Sequence, residues 1–183
     1  MRRLPLRGKG GLWNRGSFVK EPNLCQELKV NLSQPRIEVS VGTQSLVLWD
    51  GIRQVKRWPC STSKFGLGYT EGSNKTPLGG FLVREKHGDG APVGTIFKSR
   101  QPVGLWTADI VTPDDLILSR ILWLDGVEKR NANTWQRYIY IHGTNDERSI
   151  GRPASHGCIR LKNAAMIELY DLTPVGTAVW ISE

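Results

Sequence analysis

The sequence predicts a mostly β domain of the β-rich α+β class, with one main helix near its C-terminus. Three observations lead to this prediction. Apolar and polar residues alternate along several short segments, glycine-containing turns separate those segments, and only the residues after Cys158 have the spacing of an amphipathic helix. The chain has 183 residues, 39% hydrophobic and 23% charged, which suits one compact domain with its own core.

The first 34 residues differ from the rest of the chain in composition. They are rich in Gly, Arg and Pro without a sustained period, so we expect residues 1–34 to form a basic extension that is loose or drapes over the body, and residues 35–183 to form the domain. The body has no basic stripe interleaved with aromatics, so no nucleic-acid partner is expected. Six cations of the chain, whose formal net charge is +8, precede the first acidic residue, Glu21: Arg2, Arg3, Arg7, Lys9, Arg15 and Lys20.

Targeting signals and cysteine usage both favour a cytoplasmic protein. The first 20 residues never place more than two apolar residues together, whereas a secretory signal needs about 7 to 15, and no segment approaches the length of a transmembrane helix. Cys25, Cys60 and Cys158 are irregularly spaced, unlike a secreted disulfide scaffold. We predict that Cys25 and Cys60 are reduced thiols without a special role. The alternative location is the periplasm or cell wall, if a leader was removed.

The first predicted elements form an antiparallel meander. The segments "RIEVSV" and "SLVLW" flank a short polar "GTQ", and Asp50-Gly51 separates the second segment from "RQVKRW". Both Asp and Gly tolerate the positive φ angles of tight hairpin turns. Three consecutive strands are therefore expected.

A glycine-rich stretch follows, and strand-like alternation resumes only at Phe81. Neither G-x-G-x-x-G nor G-x-x-x-x-G-K-[ST] is present, so turns that allow close backbone packing are favoured over a phosphate site. "APVGTIF" and "DLILSRILWLDG" are further apolar segments, the second ambiguous between strand and helix. Tyr138 to Ile141 is predicted as a short strand ending at His142-Gly143. The glycines are Gly66, Gly68, Gly72, Gly79 and Gly80.

The helix is predicted after the cysteine. Asn163 is a good N-cap residue, and Met166, Leu169 and Leu172 recur at the spacing of one helical face before Pro174 ends the helix. The final "TAVWIS" is predicted to be a strand.

The segment from His142 to Cys158 carries residues suited to nucleophilic catalysis. A cysteine nucleophile needs a base, and His142 could accept the thiol proton or stand as imidazolium beside a thiolate. Gly157 would let a substrate carbonyl approach the backbone amides of residues 157 and 158, which could form an oxyanion hole. A structural histidine with a core cysteine is the alternative. Zinc is disfavoured because His156-x-Cys158 has no accompanying C-x-x-C or H-E-x-x-H, so no metal site is predicted.

The stretch "YIYIHGTNDERSIGRPASHGCIRLKN" resembles the active-site segment of the L,D-transpeptidase (YkuD-type) family. That family's signature is a histidine, a spacer, then Ser or Thr followed by His-Gly-Cys, one apolar residue and Asn or Arg. Residues 155–160 match it position by position, and "TPLGGF", residues 76–81, resembles the family's Thr-Pro-x-Gly-x-Phe loop. The resemblance spans about residues 36–182 and implies a YkuD-type β-sandwich catalytic domain.

The resemblance also implies roles for individual residues. Cys158 would be the nucleophile, His142 its base, and the Gly143 carbonyl would orient the imidazole. The oxyanion hole would include Gly157, Cys158 and His156.

Substrate contacts are the other implied roles. Arg160 would face a substrate carboxylate, which suits its planar fork of donors. Ser155 belongs to the same substrate-binding group. Trp123 and Tyr138 are the aromatic candidates for the substrate wall. No cofactor is implied, because thiol acyl transfer is complete with Cys, His and backbone donors.

By resemblance, the enzyme cuts peptidoglycan stem peptides after the L-centre of the third, diamino acid residue. Cys158 would attack that carbonyl, release the terminal D-alanine and retain a thioester. Because a cytoplasmic location is expected, water is the favoured acceptor, and the enzyme would then be an L,D-carboxypeptidase of peptidoglycan recycling acting on tetrapeptide muropeptides. The alternative is an amine acceptor, with which the enzyme would be an L,D-transpeptidase that forms 3-3 cross-links or exchanges D-amino acids in the cell wall.

Two classes other than an enzyme remain open at this stage. A catalytically silent module would use the cleft to hold wall peptides, and a nucleic-acid binder would depend on the basic tail. An intact Cys158/His142 pair predicts fast, selective alkylation of Cys158 near neutral pH. A carbapenem is expected to acylate Cys158, since such compounds mimic the family's acyl donor.

Overall fold

The structure, a computed structural model, describes residues 34–183. The predicted extension over residues 1–34, with Cys25, therefore lies outside the described residues apart from Gln34. The elements in chain order are β1 Pro35–Ser40, β2 Ser45–Asp50, β3 Arg53–Pro59, β4 Gly79–His87, β5 Thr95–Lys98, β6 Gln101–Leu105, β7 Ile117–Gly126, β8 Tyr140–Gly143, a 3-10 turn Glu147–Ser149, β9 Ile159–Leu161, α1 Asn163–Leu172 and β10 Ala178–Ser182.

Hydrogen bonds join the strands into one branched sheet. Its main path runs β3-β2-β1-β10-β4-β7-β5-β6, and β8 leaves this path by pairing with β7 and then with β9. Two pairs are parallel, β1 with β10 and β8 with β9. The predicted mostly β fold with one main helix after the cysteine is confirmed. The two layers expected of a sandwich are arms of a single sheet that meet at β7.

Strand β7 is the branch point, and it resolves the ambiguity of "DLILSRILWLDG". It pairs with β4, β5 and β8, and residues 118–124 are buried. A strand buried on both faces has a continuous apolar run, so its period could not distinguish it from a helix. The register with β8 shifts between Leu118 and Ile121, where Ser119 has φ 67°. Such a bulge bends the strand and helps the sheet to branch.

One large hydrophobic core is shared by both arms of the sheet and the helix. It takes side chains from β1, β2, β4 and β7, from β8 and β9, and from α1. Ile141 of β8 and Ile159 of β9 are fully buried members. Because successive strand residues point to opposite faces, their neighbours in β8 and β9 point away from this core. That second face carries the candidate site.

Helix α1 packs against β7 and β8, but the prediction that Asn163 caps it was wrong by one residue. Lys162 occupies the cap position without a side-chain cap, and Asn163 is the first helical residue. The Asn163 amide turns inward, where it donates to the Thr144 carbonyl at 2.8 Å and accepts from Ser119 Oγ at 2.7 Å. No helix within residues 34–183 is long and apolar enough to cross a membrane.

Candidate active site

The parallel pairing of β8 and β9 brings the histidine and the cysteine to the same face of the sheet. Ile141 pairs with Ile159 and His142 with Arg160. Cys158, one residue before β9, therefore lies level with Tyr140, and both share the face of His142 because side chains alternate along a strand. This register brings His142 and Cys158 to the same part of the sheet, although sixteen positions separate them in the sequence.

Main-chain groups hold the Cys158 thiol. The Tyr140 N–H donates to Sγ at 3.4 Å, and the thiol donates to the Tyr138 carbonyl at 3.4 Å. Tyr138 itself has φ 56°, a left-handed conformation that costs energy for a bulky residue and is a recurrent feature of functional sites. The predicted strand at Tyr138 begins instead at Tyr140, because this strained residue turns the chain before β8.

The carbonyl of Gly143 orients the His142 ring. Nδ1 lies 2.6 Å from the Gly143 oxygen, and because a carbonyl can only accept, Nδ1 carries the proton and Nε2 is left to accept one. Position 143 has no room for a side chain, since a Cβ there would lie 2.3 Å from Asn163 Oδ1 and 2.7 Å from the Leu118 oxygen. The glycine therefore allows the close backbone packing that fixes this carbonyl.

The site holds a neutral pair at rest. Burial raises the pKa of the Cys158 thiol to about 12, against the opposing effect of the Tyr140 N–H. Burial also lowers the pKa of His142, with Asp115 and the Gly143 carbonyl acting in the other direction. Both shifts favour the neutral forms, a protonated thiol and an uncharged imidazole, on the cavity that the two residues share. Of the two forms the sequence left open, the structure favours a base that takes the proton during attack over a preformed ion pair.

This protonation state revises the expected alkylation behaviour. We expect iodoacetamide to label Cys158 slowly at pH 7 and about tenfold faster per pH unit from pH 6 to pH 9, because the thiolate is the nucleophile. Cys60 is 0% exposed, and burial raises its pKa to about 12, so it serves as the internal control and stays unlabelled. Peptide mapping by mass spectrometry measures both rates. A Cys158 rate that is already constant from pH 6 to pH 8 would contradict the neutral pair.

The turn before Cys158 is fixed from two sides. Thr76 Oγ1, from the "TPLGGF" segment, donates to the Gly157 carbonyl at 3.0 Å, and Ser155 Oγ donates to the Cys158 carbonyl at 2.6 Å. Gly157 has φ 118°, and a Cβ there would lie 3.4 Å from the Lys75 oxygen. The glycine-rich stretch thus packs its backbone against the turn, as the sequence predicted.

Ser155 was predicted to contact the substrate and Gly157 to serve the oxyanion hole. Both form hydrogen bonds within this turn. Ser155 is 0% exposed, and its hydroxyl also accepts the Gly157 N–H at 3.3 Å. The prediction that the Ser155 side chain contacts the substrate is therefore wrong, because its own turn encloses the hydroxyl. For the Gly157 N–H to serve an oxyanion it must exchange this long hydrogen bond for the substrate, so its role there remains a prediction.

Arg160 is the main departure from the sequence-based site. It is 2% exposed, and its guanidinium donates to Asp115 Oδ1 at 2.9 Å, to Ser149 Oγ at 2.9 Å and to Ser61 Oγ at 3.3 Å. The prediction that Arg160 faces a substrate carboxylate is corrected, because a protein carboxylate already occupies its fork. Its function here is to hold Asp115.

Asp115 is a site residue that the sequence analysis missed. Its second oxygen lies 3.1 Å from His156 Nδ1, so one carboxylate joins the buried Arg160 to the half-exposed His156 ring. Burial acts to raise the pKa of Asp115, but His142, Arg160 and the hydrogen bond from His156 together hold it below its ordinary value. The carboxylate therefore remains charged through the physiological range.

These residues line one cavity of about 430 Å³. Cys158 and His142 open into it together, and His156 lies at 47% side-chain exposure. No group of three or more His, Cys, Asp or Glu in residues 34–183 is arranged to hold a metal ion. The lining residues are Pro113, Asp114, Asp115, Ile117, His142, His156 and Cys158.

An aromatic cluster borders Cys158 on its other side. Trp123 and Trp135 stack with ring centroids 3.4 Å apart, and Trp123 also stacks on Tyr138 at 5.6 Å. Trp123 is 5% exposed whereas Tyr138 is 54% exposed. Tyr138 is therefore placed to meet a ligand and Trp123 supports it from behind, so the substrate wall remains a prediction for both.

Comparisons with known proteins agree with this geometry. The family model described as the YkuD L,D-transpeptidase catalytic domain matches residues 34–181. The YkuD protein of Bacillus subtilis, assigned by its name to the L,D-transpeptidases, is 30% identical over 146 residues, which are 80% of this chain and 65% of the relative. The chain spans 52% and 65% of the first two curated relatives that it matches.

Solved structures share the fold at lower sequence identity. The L,D-transpeptidase of Xylanimonas cellulosilytica is similar with a TM-score of 0.54 and 24% identity, over 82% of this chain and 61% of that one. The L,D-transpeptidase LdtMt1, solved in complex with imipenem, has a TM-score of 0.52 and 18% identity, over 81% of this chain and 58% of that one. At these identities the likeness supports the fold.

Proposed function

This chain belongs to the YkuD family of L,D-transpeptidase catalytic domains, and from that membership we propose that it is a cysteine acyltransferase acting on peptidoglycan stem peptides. The observation that carries the proposal is the shared cavity of Cys158 and His142, with Nδ1 of the base committed to Gly143. A nucleophile beside a base whose tautomer is fixed by a third group is the arrangement that acyl transfer requires.

The acylation step transfers one proton out and back. Cys158 Sγ attacks the carbonyl of the donor's third residue while His142 Nε2 takes the thiol proton. Collapse of the tetrahedral intermediate breaks the amide bond, and His142 returns the proton to the leaving amine of D-alanine. A thioester on Cys158 remains. Burial lowers the pKa of His142 from its ordinary value of 6.5. The imidazole therefore stays neutral, and able to accept a proton, at a pH somewhat below 6.5.

The acceptor resolves the thioester in one of two ways. An amine that attacks it gives a new peptide bond and transpeptidation, whereas water gives a free tripeptide and carboxypeptidation; in both cases His142 takes the acceptor's proton and Cys158 recovers it as a thiol. The names of the relatives, which are L,D-transpeptidases, support an amine acceptor. Hydrolysis for peptidoglycan recycling is the competing proposal, together with the cytoplasmic location that it needs, which cell fractionation can check.

Product analysis decides between these acceptors. Purified protein is incubated with a disaccharide tetrapeptide, with and without an excess of a free D-amino acid such as D-methionine, and the products are measured by mass. Exchange of the terminal residue or dimer formation supports transpeptidation, and tripeptide as the main product in both incubations supports the carboxypeptidase. Intact donor after prolonged incubation, with measurable binding, would instead favour a catalytically silent module.

A carbapenem should form a covalent adduct with Cys158. Its strained lactam carbonyl offers an acyl donor of the type that the thiol attacks, and imipenem is the ligand of LdtMt1, which shares the fold. We expect intact-protein mass spectrometry to show a gain of one imipenem mass, located on the peptide that contains Cys158. Absence of any adduct on the wild-type protein after hours at millimolar imipenem would contradict an accessible nucleophile.

A further inference from the structure

Arg160 is buried and paired with Asp115. It therefore does not fill the carboxylate-binding role that the sequence predicted for it. We propose that Arg100 takes this role: it binds a free carboxylate of the acyl donor beside Cys158, with Arg137 adding positive charge from a second direction. This inference rests on the proposed acyl transfer, and it names the donor chemistry that the site selects.

Arg100 stands at a strained position. It lies with Ser99 at the tip of the β5–β6 hairpin, between the paired residues Lys98 and Gln101. The two tip residues have φ 50° and 66°, the pattern of a two-residue turn that normally uses Asn and Gly. This conformation is energetically unfavourable for arginine, which has a β-carbon where glycine has none. Residues held in such conformations cluster at binding and catalytic sites.

The hairpin places the Arg100 guanidinium over the aromatic cluster against which Cys158 packs. Its Cζ lies 4.6 Å from the Trp123 ring centroid and 5.5 Å from that of Tyr138. It also faces the Tyr140 hydroxyl, where it partly offsets the burial that raises the pKa of this phenol. The backbone of the same two tyrosines holds Cys158 Sγ. A ligand reaching the thiol from the aromatic side therefore meets Arg100.

Arg137 borders the thiol from a second direction. Its guanidinium donates to the Gly68 carbonyl at 3.1 Å and to the Lys75 carbonyl at 2.6 Å, and Lys75 lies against Gly157 in the cysteine turn. These bonds fix the cation close enough to Cys158 to favour its thiolate. Arg137 thus lies near the thiol, and Arg100 lies over the aromatic cluster that borders it.

Neither arginine has its charge neutralised by an ion pair. Throughout residues 34–183 the ion pairs involve other cations, and no carboxylate lies within 4.0 Å of the guanidinium of Arg100 or Arg137. Aromatic rings beneath a guanidinium leave its edge donors available for a bidentate carboxylate. A tetrapeptide donor has a free carboxylate at its C-terminal D-alanine, and further ones where its second residue is acidic or its diamino acid has a second carboxyl group; each can be converted to an amide.

The test combines enzyme variants with modified donors. We expect Arg100→Gln to lower kcat/KM for the fully charged tetrapeptide by about 10- to 100-fold, the effect of losing one charge-assisted contact. Three donors, each amidated at a different carboxylate, identify the group that Arg100 binds. On one of them kcat/KM of the wild type should fall by the same factor. On that donor Arg100→Gln should cause no further fall in kcat/KM. Arg53→Gln, which removes an exposed arginine on β3, is the matched control and should leave all rates unchanged.

A binding measurement separates this inference from the proposed function. Calorimetry on Cys158→Ala and on the Cys158→Ala/Arg100→Gln double variant reports donor affinity without turnover. A tenfold or larger loss of affinity in the double variant, limited to donors that keep the recognised carboxylate, supports the inference even if no product forms, in which case only acyl transfer fails. Equal affinities in the two proteins, or an equal loss on every donor, would overturn it. Thermal melting of each variant verifies that the fold is intact.

Discussion

Replacing Cys158 with alanine should abolish turnover of the tetrapeptide while leaving the fold intact. In the proposed mechanism the thiol forms the thioester, so its loss removes the covalent route and should lower kcat by a factor on the order of 10⁴ or more. Its structural role is small, because its hydrogen bonds to Tyr138 and Tyr140 involve sulfur, which is a weak donor and acceptor. We expect the melting temperature to change by only a few degrees, measured by circular dichroism.

The control for this variant is the second described cysteine. Cys60 is fully buried in the main core and has no place in the cavity, so Cys60→Ala should cost some stability and leave kcat within a factor of about two of the wild type. Turnover that survives in Cys158→Ala at more than a few per cent of the wild-type rate would exclude Cys158 as the nucleophile.

Removing Asp115 should have the largest effect on stability among the site variants. Asp115→Ala leaves the Arg160 guanidinium without its carboxylate at 3% side-chain exposure, and an uncompensated buried charge costs roughly 3 to 5 kcal/mol. Urea unfolding monitored by tryptophan fluorescence measures this loss. His156 also loses its partner, so kcat should fall even where the variant is folded.

Two controls test whether the loss of stability in Asp115→Ala comes from the carboxylate charge: a variant of the neighbouring Asp114, and the pH dependence of the stability difference. Asp114 is exposed, so Asp114→Ala should alter stability by less than about 0.5 kcal/mol. Since the folded protein lowers the pKa of Asp115 below its ordinary value of 3.8, its contribution is present above that value and is lost as pH falls through the folded pKa. The gap between wild type and Asp115→Ala should therefore narrow below pH 3.8. A gap that stays constant to pH 2 would show that the carboxylate charge is not its source.

The placement of His142 and Cys158 on one cavity could be predicted from the sequence because its signal is local. The His-Gly-Cys turn and the upstream histidine lie on short segments of recognisable composition, and the parallel register of β8 and β9 brings them together. The strands of the meander were predictable for the same reason, since alternation and turn residues are properties of neighbouring positions.

The residues that surround the pair depend on contacts between distant segments. Nothing in the spacing of Asp115 and Arg160, which are 45 positions apart, indicates that one neutralises the other. Without that contact an arginine beside a nucleophile is naturally interpreted as a substrate group. Asn163 shows the same limit, because its inward bonds to Thr144 and Ser119 outweigh its preference for a helix cap. Arg100 is identified only by its turn geometry and aromatic neighbours.

The proposed mechanism carries donor peptides as a thioester on Cys158. It is tested most directly by acid-quenching the protein with tetrapeptide in the absence of an added amine, then measuring intact and peptide masses. We expect an adduct equal to the donor minus D-alanine, located on the peptide containing Cys158 and absent from Cys158→Ala. An adduct located on another residue, or D-alanine released by Cys158→Ala at the wild-type rate, would contradict it.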